Sequence, residues 1–270
     1  MTSSPLLATL ALRDYRRYAS GNAFSLIGTW MQRVGVGWLM WQLTGSGTWL
    51  GIVAFADLAP AIVLGPLGGA IADRVSPLRI TFIAQALCMI IAAALAVTTA
   101  MGHITPGLLA FLVALQGMAM GFHQPARMAL IYRIVDREHL PSAVAFNSVL
   151  FNTARFIGPA AAGAVLVLSG PALVFAINSA SFLFFLAALA TLKVEAPTSS
   201  AGADPANTSI IEEVLDGARY AARHPVIGSI LLFSAILSFA LRPYVELLPG
   251  FVDRVLGGGA AELAALNAAA

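Results

Sequence analysis

The 270 residues are 59% hydrophobic and only 10% charged, with a net charge of +2 and a mean hydropathy of +0.85. Soluble domains carry charge on about a quarter of their residues, so an ordinary soluble domain is excluded. The pI near 9.0 does not point to nucleic acid in so apolar a chain.

Crossing ~30 Å of hydrocarbon takes about 20 apolar residues. Stretches of that kind fall at residues 19–43, 48–71, 79–100, 106–130, 143–168, 171–192 and 226–248. The fold class expected is therefore an all-α polytopic membrane protein. None of the stretches alternates apolar and polar residues as a membrane β-barrel would. The first is no cleavable leader, because it is too long and Gln32 and Arg33 interrupt it. A last apolar piece from Ala260 is too short to cross, so an eighth segment truncated at Ala270 is expected.

Taken in chain order, the charges sort by loop. Arg13, Arg16 and Arg17 precede span one, Arg74 and Arg79 follow span two, Arg133 and Arg137 follow span four, and Lys193 follows span six. The intervening loops Thr44–Gly47, Met101–Pro106 and Ser169–Pro171 hold no Lys or Arg. The positive-inside rule then places the N-terminus, the Asp73 loop and the long polar stretch in the cytoplasm. Cys88 is the only cysteine, which excludes an internal disulfide and a multi-cysteine metal site and reads as a small buried hydrophobe.

Residues 196–207, APTSSAGADPAN, have the composition of a flexible linker. Ser209 then stands three residues before Glu212 as a capping box, and Ile211, Val214, Leu215, Ala218 and Ala222 recur at helical spacing. Arg219 and Arg223 suit the C-terminal end of that helix. Two readings stay open: an amphipathic helix on the cytoplasmic leaflet, or a solvated linker helix. The organisation expected is a six-helix bundle over 1–193, a cytoplasmic linker with its helix over 194–224, and a further span with the truncated eighth segment over 225–270. Six spans, a linker and another span is the layout of a two-halved secondary transporter.

Three stretches carry a family likeness. Residues 12–44, LRDYRRYASGNAFSLIGTWMQRVGVGWLMWQLT, have the look of a first span with its lead-in. Gly69, three residues, Asp73–Arg74 and then Arg79 form a cytoplasmic loop motif, with Ser76, Pro77 and Leu78 departing from its usual residues. Residues 124–163 include Asn152 and Arg155 in an N-x-x-R spacing, then Gly158, Pro159 and Gly163 of a span-five motif, with Ala162 replacing one glycine. Together they resemble the major facilitator superfamily, in its exporter branch with the enterobactin, macrolide and multidrug efflux proteins. The resemblance implies a multi-pass protein of a bacterial cytoplasmic membrane that exports a small apolar or siderophore-like molecule by alternating access, with protons as the coupling ion. It also implies that Asp73 latches cytoplasmic helix ends across the two halves. In span four, Val113 stands where the related motif holds an arginine.

Polar residues inside spans are costly and mark functional candidates. Arg33 lies eleven residues from Thr44 and Asp57 ten from Gly47 on the next span, about 16 and 15 Å down at 1.5 Å per residue. Opposite charges at one depth predict an Arg33–Asp57 ion pair, static or a gate that protonation opens. Arg155, with Asn152 one turn before it, reads either as a cavity-lining charge or as half of a structural pair. His123 and Arg127 fall near the cytoplasmic end of span four, which lines the cavity in the superfamily, although His123 also reads as a packing residue. Arg242 and Glu246, four apart on span seven, can pair on one face, and Pro243 between them predicts a kink. Gly65/Gly69, Gly117/Gly121 and Ala154/Gly158 place small residues four apart for close helix packing, and Pro159 predicts a bend. Trp30, Trp38, Trp41 and Trp49 are expected mostly at the outer interface.

No GxxxxGK[ST], HExxH or GxSxG occurs, so nothing suggests an ATP-driven protein or an enzyme, and no cofactor is expected. The partners expected are the lipid bilayer, a small-molecule substrate and protons, with no nucleic acid. A C-terminal half, or a second copy, is expected to complete the cavity. Two alternatives stand beside efflux: a truncated, transport-inactive membrane fragment, and an uptake permease of the same fold.

Overall fold

The computed structural model describes residues 5–192, 194 and 210–269; within these, Asp73 and Arg242 are among the residues described for their backbone only. Among the described residues eleven helices follow one another: α1 Pro5–Ala11, α2 Arg13–Thr44, α3 Gly47–Arg74, α4 Pro77–Ala100, α5 Pro106–Ile134, α6 Leu140–Ser169, α7 Pro171–Ala190, α8 Ile210–Arg223, α9 Pro225–Glu246, α10 Leu248–Arg254 and α11 Ala260–Ala269. Among the described residues there is no strand. The protein is an all-α polytopic membrane protein.

Helices α3 to α7 are each long and apolar enough to cross a membrane. Helix α2 is not among those five, although its 32 residues reach about 48 Å. The reason lies in its composition. Asn22, Ser25 and Gln32 are buried inside the bundle, so its polar face turns to other helices and not to lipid. Among the described residues α9 contributes a shorter apolar stretch, Pro225–Ser234.

Helix starts follow local chemistry. Proline occupies the first turn of α4, α5, α6 and α7, where its missing N–H costs no helix bond. The Thr105 side chain accepts the Leu108 N–H at the start of α5. Gly45, at φ +55°, closes α2 in the left-handed region.

The helices alternate in direction and pack mainly as α3 on α5, α2 on α7 and α6, α4 on α7 and α5, and α11 on α6. Two ends can then be named. At the Gly45 end an apolar cluster joins Met40, Leu50, Leu95, Leu109 and Phe175, and takes in Leu248, Val252 and Leu263 of α10 and α11. At the Arg74 end a second joins Tyr15, Tyr18, Leu130, Ile131, Phe185 and Leu189. Cys88 sits with Ala92, Ala119 and Phe182, fully buried. Polar layers lie between the two end clusters.

Close approach rests on glycine, at positions only partly visible in the chain. A Cβ at Gly117 would meet the Asp57 carbonyl, and one at Gly68 would lie 2.6 Å from the Gly121 carbonyl. Gly65 and Gly69 face open space; the helix phase puts Gly68, not the expected pair, against α5. Gly21, Gly28 and Gly35, seven apart, form the α2 face against α7, a repeat that pairs spaced by four do not reveal. The flexible linker 196–207 and Ser209 of the capping box lie outside the described residues, and Glu212 is described for its backbone only.

Candidate functional site: a charged cavity between the bundle and α9–α11

Near mid-height, α2 turns Arg33 toward the end of α9. Its Nη2 donates to Glu246 Oε1 at 2.6 Å, with the two side chains 36% and 19% exposed. That bridge divides two chambers. One, of about 160 Å³, is walled by Trp30, Arg33, Arg155, Glu246, Pro159 and Leu263 among others. The other, of about 90 Å³, is walled by Thr29, Gln32, Arg33, Asp57, Gln116 and Glu246 among others. Arg33, Gly37 and Glu246 belong to both walls.

The depth argument for Arg33 and Asp57 holds, since both line the smaller chamber and the Asp57 carboxylate acts electrostatically on the guanidinium. The direct ion pair, however, is with Glu246, 213 residues away. Counting depth from loop ends compares neighbouring spans and is blind to a helix that arrives from later in the chain. Glu246 thus reaches α2, and the side chains of its expected partner Arg242 and of Pro243 lie outside the described residues.

Arg155 and Arg33 converge on one indole. Their guanidinium carbons lie 5.9 and 5.5 Å from the centre of the Trp30 ring, within cation–π range, and Phe151 meets the same ring edge-on at 5.7 Å. The span-five motif serves this placement. A Cβ at Gly158 would collide with Trp30, Pro159 lines the larger chamber, and Gly163 packs on Ala264 of α11. Helix α6 runs unbroken from Leu140 to Ser169 through Pro159. Asn152 is exposed and donates to the Ser148 carbonyl at 2.8 Å, so it satisfies its own helix and is absent from both chamber walls.

His123 and Arg127 do not reach either chamber. They are 4% and 6% exposed, inside the bundle nearer the Arg74 end. His123 Nε2 meets Gln85 Nε2 at 3.0 Å, and Ser25 Oγ donates to Gln85 Oε1 at 3.4 Å. Arg127 donates to Asn147 Oδ1 at 3.0 Å and to Gln124 Oε1 at 3.1 Å, and Asn22 donates to the same Asn147 oxygen at 3.3 Å. These bonds make a layer joining α2, α4, α5 and α6. A third set ties the mid-height: Gln32 donates to Gln116 and accepts from Asn178 Nδ2 at 2.7 Å.

At the Gly45 end, Trp41 Nε1 donates to Asp253 Oδ2 at 3.1 Å, Arg254 stacks 5.0 Å from the Trp41 ring, and Arg254 Nη2 donates to the Gly45 carbonyl at 2.6 Å. Trp41 is buried, and Trp38 and Trp49 pack on the apolar cluster. Trp38, Trp41 and Trp49 thus gather at the Gly45 end, whereas Trp30 lines the larger chamber. Asp73 and Arg74 end α3, and Arg79 lies in the first turn of α4; the Asp73 side chain lies outside the described residues.

The model of a family described as transmembrane secretion effector matches residues 4–270. The chain belongs to that family. The chain is 26% identical over 244 residues to the staphyloferrin A transporter of Staphylococcus aureus (strain NCTC 8325 / PS 47), covering 90% of this chain and 60% of that protein. It is 25% identical over 224 residues to the uncharacterized MFS-type transporter YfiS of Bacillus subtilis (strain 168), covering 83% and 52%. It thus spans between half and three-fifths of the length of these curated relatives, and the resemblance to the major facilitator superfamily stands.

Sequence reasoning missed several polar members of the bundle's interior: Asn22, Ser25, Gln85, Gln116, Asn147 and Asn178. One signal was available. Positions 22, 25, 29 and 32 form a polar stripe at helical spacing on an otherwise apolar span.

Proposed function

We propose that this chain belongs to a proton-coupled secondary transporter that moves a small molecule out of the cell by alternating access, with the two chambers around Arg33–Glu246 as its binding and coupling site. The observation that carries the reading is the bridge itself, which joins the N-terminal bundle to α9 and has a second carboxylate, Asp57, on the wall of the adjoining chamber. Protonating either carboxylate changes the balance of charge on Arg33, and a change in charge that differs between two conformations shifts their populations.

The relative named for staphyloferrin A supports a siderophore-like cargo. Basic residues at the Arg74 end, among them Arg13, Arg17, Arg79 and Arg133, support a multi-pass protein of the bacterial cytoplasmic membrane with its N-terminus inside. In the same reading residues 1–193 form one bundle, 194–224 a cytoplasmic linker and 225–270 the start of a second bundle. Asp73 latches helix ends on the cytoplasmic side, and further helices or a second copy complete the cavity wall.

The test is efflux of a fluorescent dye from vesicles containing the chain under an imposed proton gradient. Efflux that collapses with the gradient and falls at least tenfold in Glu246→Gln supports the reading. Uptake under the same gradient replaces it with a permease of the same fold. No transport by inserted, folded protein overturns it for this length of chain.

A further inference from the structure

The larger chamber has a one-sided charge. Among the described residues of its wall, two guanidiniums, Arg33 and Arg155, face one carboxylate, Glu246. The balancing Asp57 lines the smaller chamber and not this one. Both guanidiniums lie within 6 Å of the centre of the same Trp30 ring, so a cationic ligand would have to share an aromatic ring already engaged twice. Val34, Val245, Pro159 and Leu263 make the remaining wall apolar. At about 160 Å³ the space is smaller than the ~300–1,000 Å³ of pockets for drug-sized ligands.

We infer that this chamber binds a small organic acid, its carboxylate received by Arg155 and Arg33 beside Trp30 and its compact apolar body lying on the proline and aliphatic wall. Arginine is the side chain suited to the task, because its planar fork meets both oxygens of a carboxylate at once. A carboxylate arriving at Arg33 competes with Glu246 for the same guanidinium. Ligand entry and loosening of the α2–α9 bridge are therefore one event, and occupancy is communicated to the helix that follows the bundle. The inference rests on the reading of the cavity as a substrate site, and names the charge class of what enters it.

The experiment measures radiolabelled benzoate binding to the purified 270-residue chain in nanodiscs of zwitterionic lipid, with unlabelled benzoate, benzyl alcohol and benzylamine as competitors. These share a ring and differ in charge. Saturable benzoate binding is expected, displaced at least tenfold more effectively by benzoate than by benzylamine. Arg155→Gln weakens it at least tenfold, Arg155→Lys falls between, and Arg219→Gln on α8 leaves it unchanged; circular dichroism and size-exclusion profiles confirm that each variant is folded. Benzylamine competing as well as benzoate, no saturable binding, or wild-type affinity in folded Arg155→Gln overturns the inference. The two readings fail separately: benzoate binding without dye efflux removes the transport reading and keeps this one, while efflux by a chain that ignores benzoate does the reverse.

Discussion

Two polar layers cross the bundle, and they answer the same problem differently. The layer nearer the Arg74 end meets a buried cation with side-chain amides: Arg127 with Asn147 and Gln124, beside His123 and Gln85, all drawn from packed helices. The layer at mid-height meets partly exposed cations with carboxylates and an aromatic ring beside two chambers: Arg33 with Glu246, Arg155 over Trp30, Asp57 across the bridge. Both use α2, one through Asn22 and Ser25 and the other through Gln32 and Arg33. The difference teaches that an intramembrane charge is not by itself a functional one. A cation held by amides between packed helices keeps them in register, whereas a cation on a cavity wall faces the space that a ligand enters.

Variants that exchange the behaviour of the layers break or sharpen that contrast. The largest stability effect is expected for Arg127→Ala, which removes the charged donor to Asn147 and Gln124; at about 1.5–3 kcal/mol for a hydrogen bond to a charged group, thermal unfolding in detergent should fall by several degrees. Unchanged unfolding there would erase the distinction. Glu246→Gln should fall on transport more than on folding, lowering proton-driven efflux at least tenfold with a smaller drop in unfolding temperature than Arg127→Ala, because the glutamine carbonyl can still accept from Arg33. Trp41→Phe removes the bond to Asp253 at the Gly45 end and keeps the stacked ring. Roughly 1 kcal/mol of closure is lost with one hydrogen bond, which labelling of an introduced Gly37→Cys with an impermeant thiol reagent should report as faster reaction. The smallest effect belongs to Asn22→Ala, whose bond to Asn147 resembles interhelical bonds in membranes averaging ~0.6 kcal/mol; stability should drop slightly and transport stay intact.

Much of this was legible in the chain because membrane physics is local. Span lengths, prolines at helix starts and the sorting of arginines by loop follow from residues within one segment. The depths of Arg33 and Asp57 were legible for the same reason. Partner choice was not. Arg33 bonds to Glu246 because α9 ends beside α2, and Asn152 turns back to its own helix although its spacing with Arg155 suggested a shared role.

The sequence by itself determined that the protein is helical, membrane-spanning and built with a polar stripe down its first long helix, since hydropathy and periodicity are properties of consecutive residues. Only the tertiary structure decided which members of that stripe are sealed and which are wet. Glycines at 28, 68, 117 and 158 draw some helix pairs together until no space remains, while the approach of α9 to α2 stops at an ion pair and leaves two chambers beside it. Burial depends on which helices meet and how closely, and that is settled by packing between segments far apart in the chain.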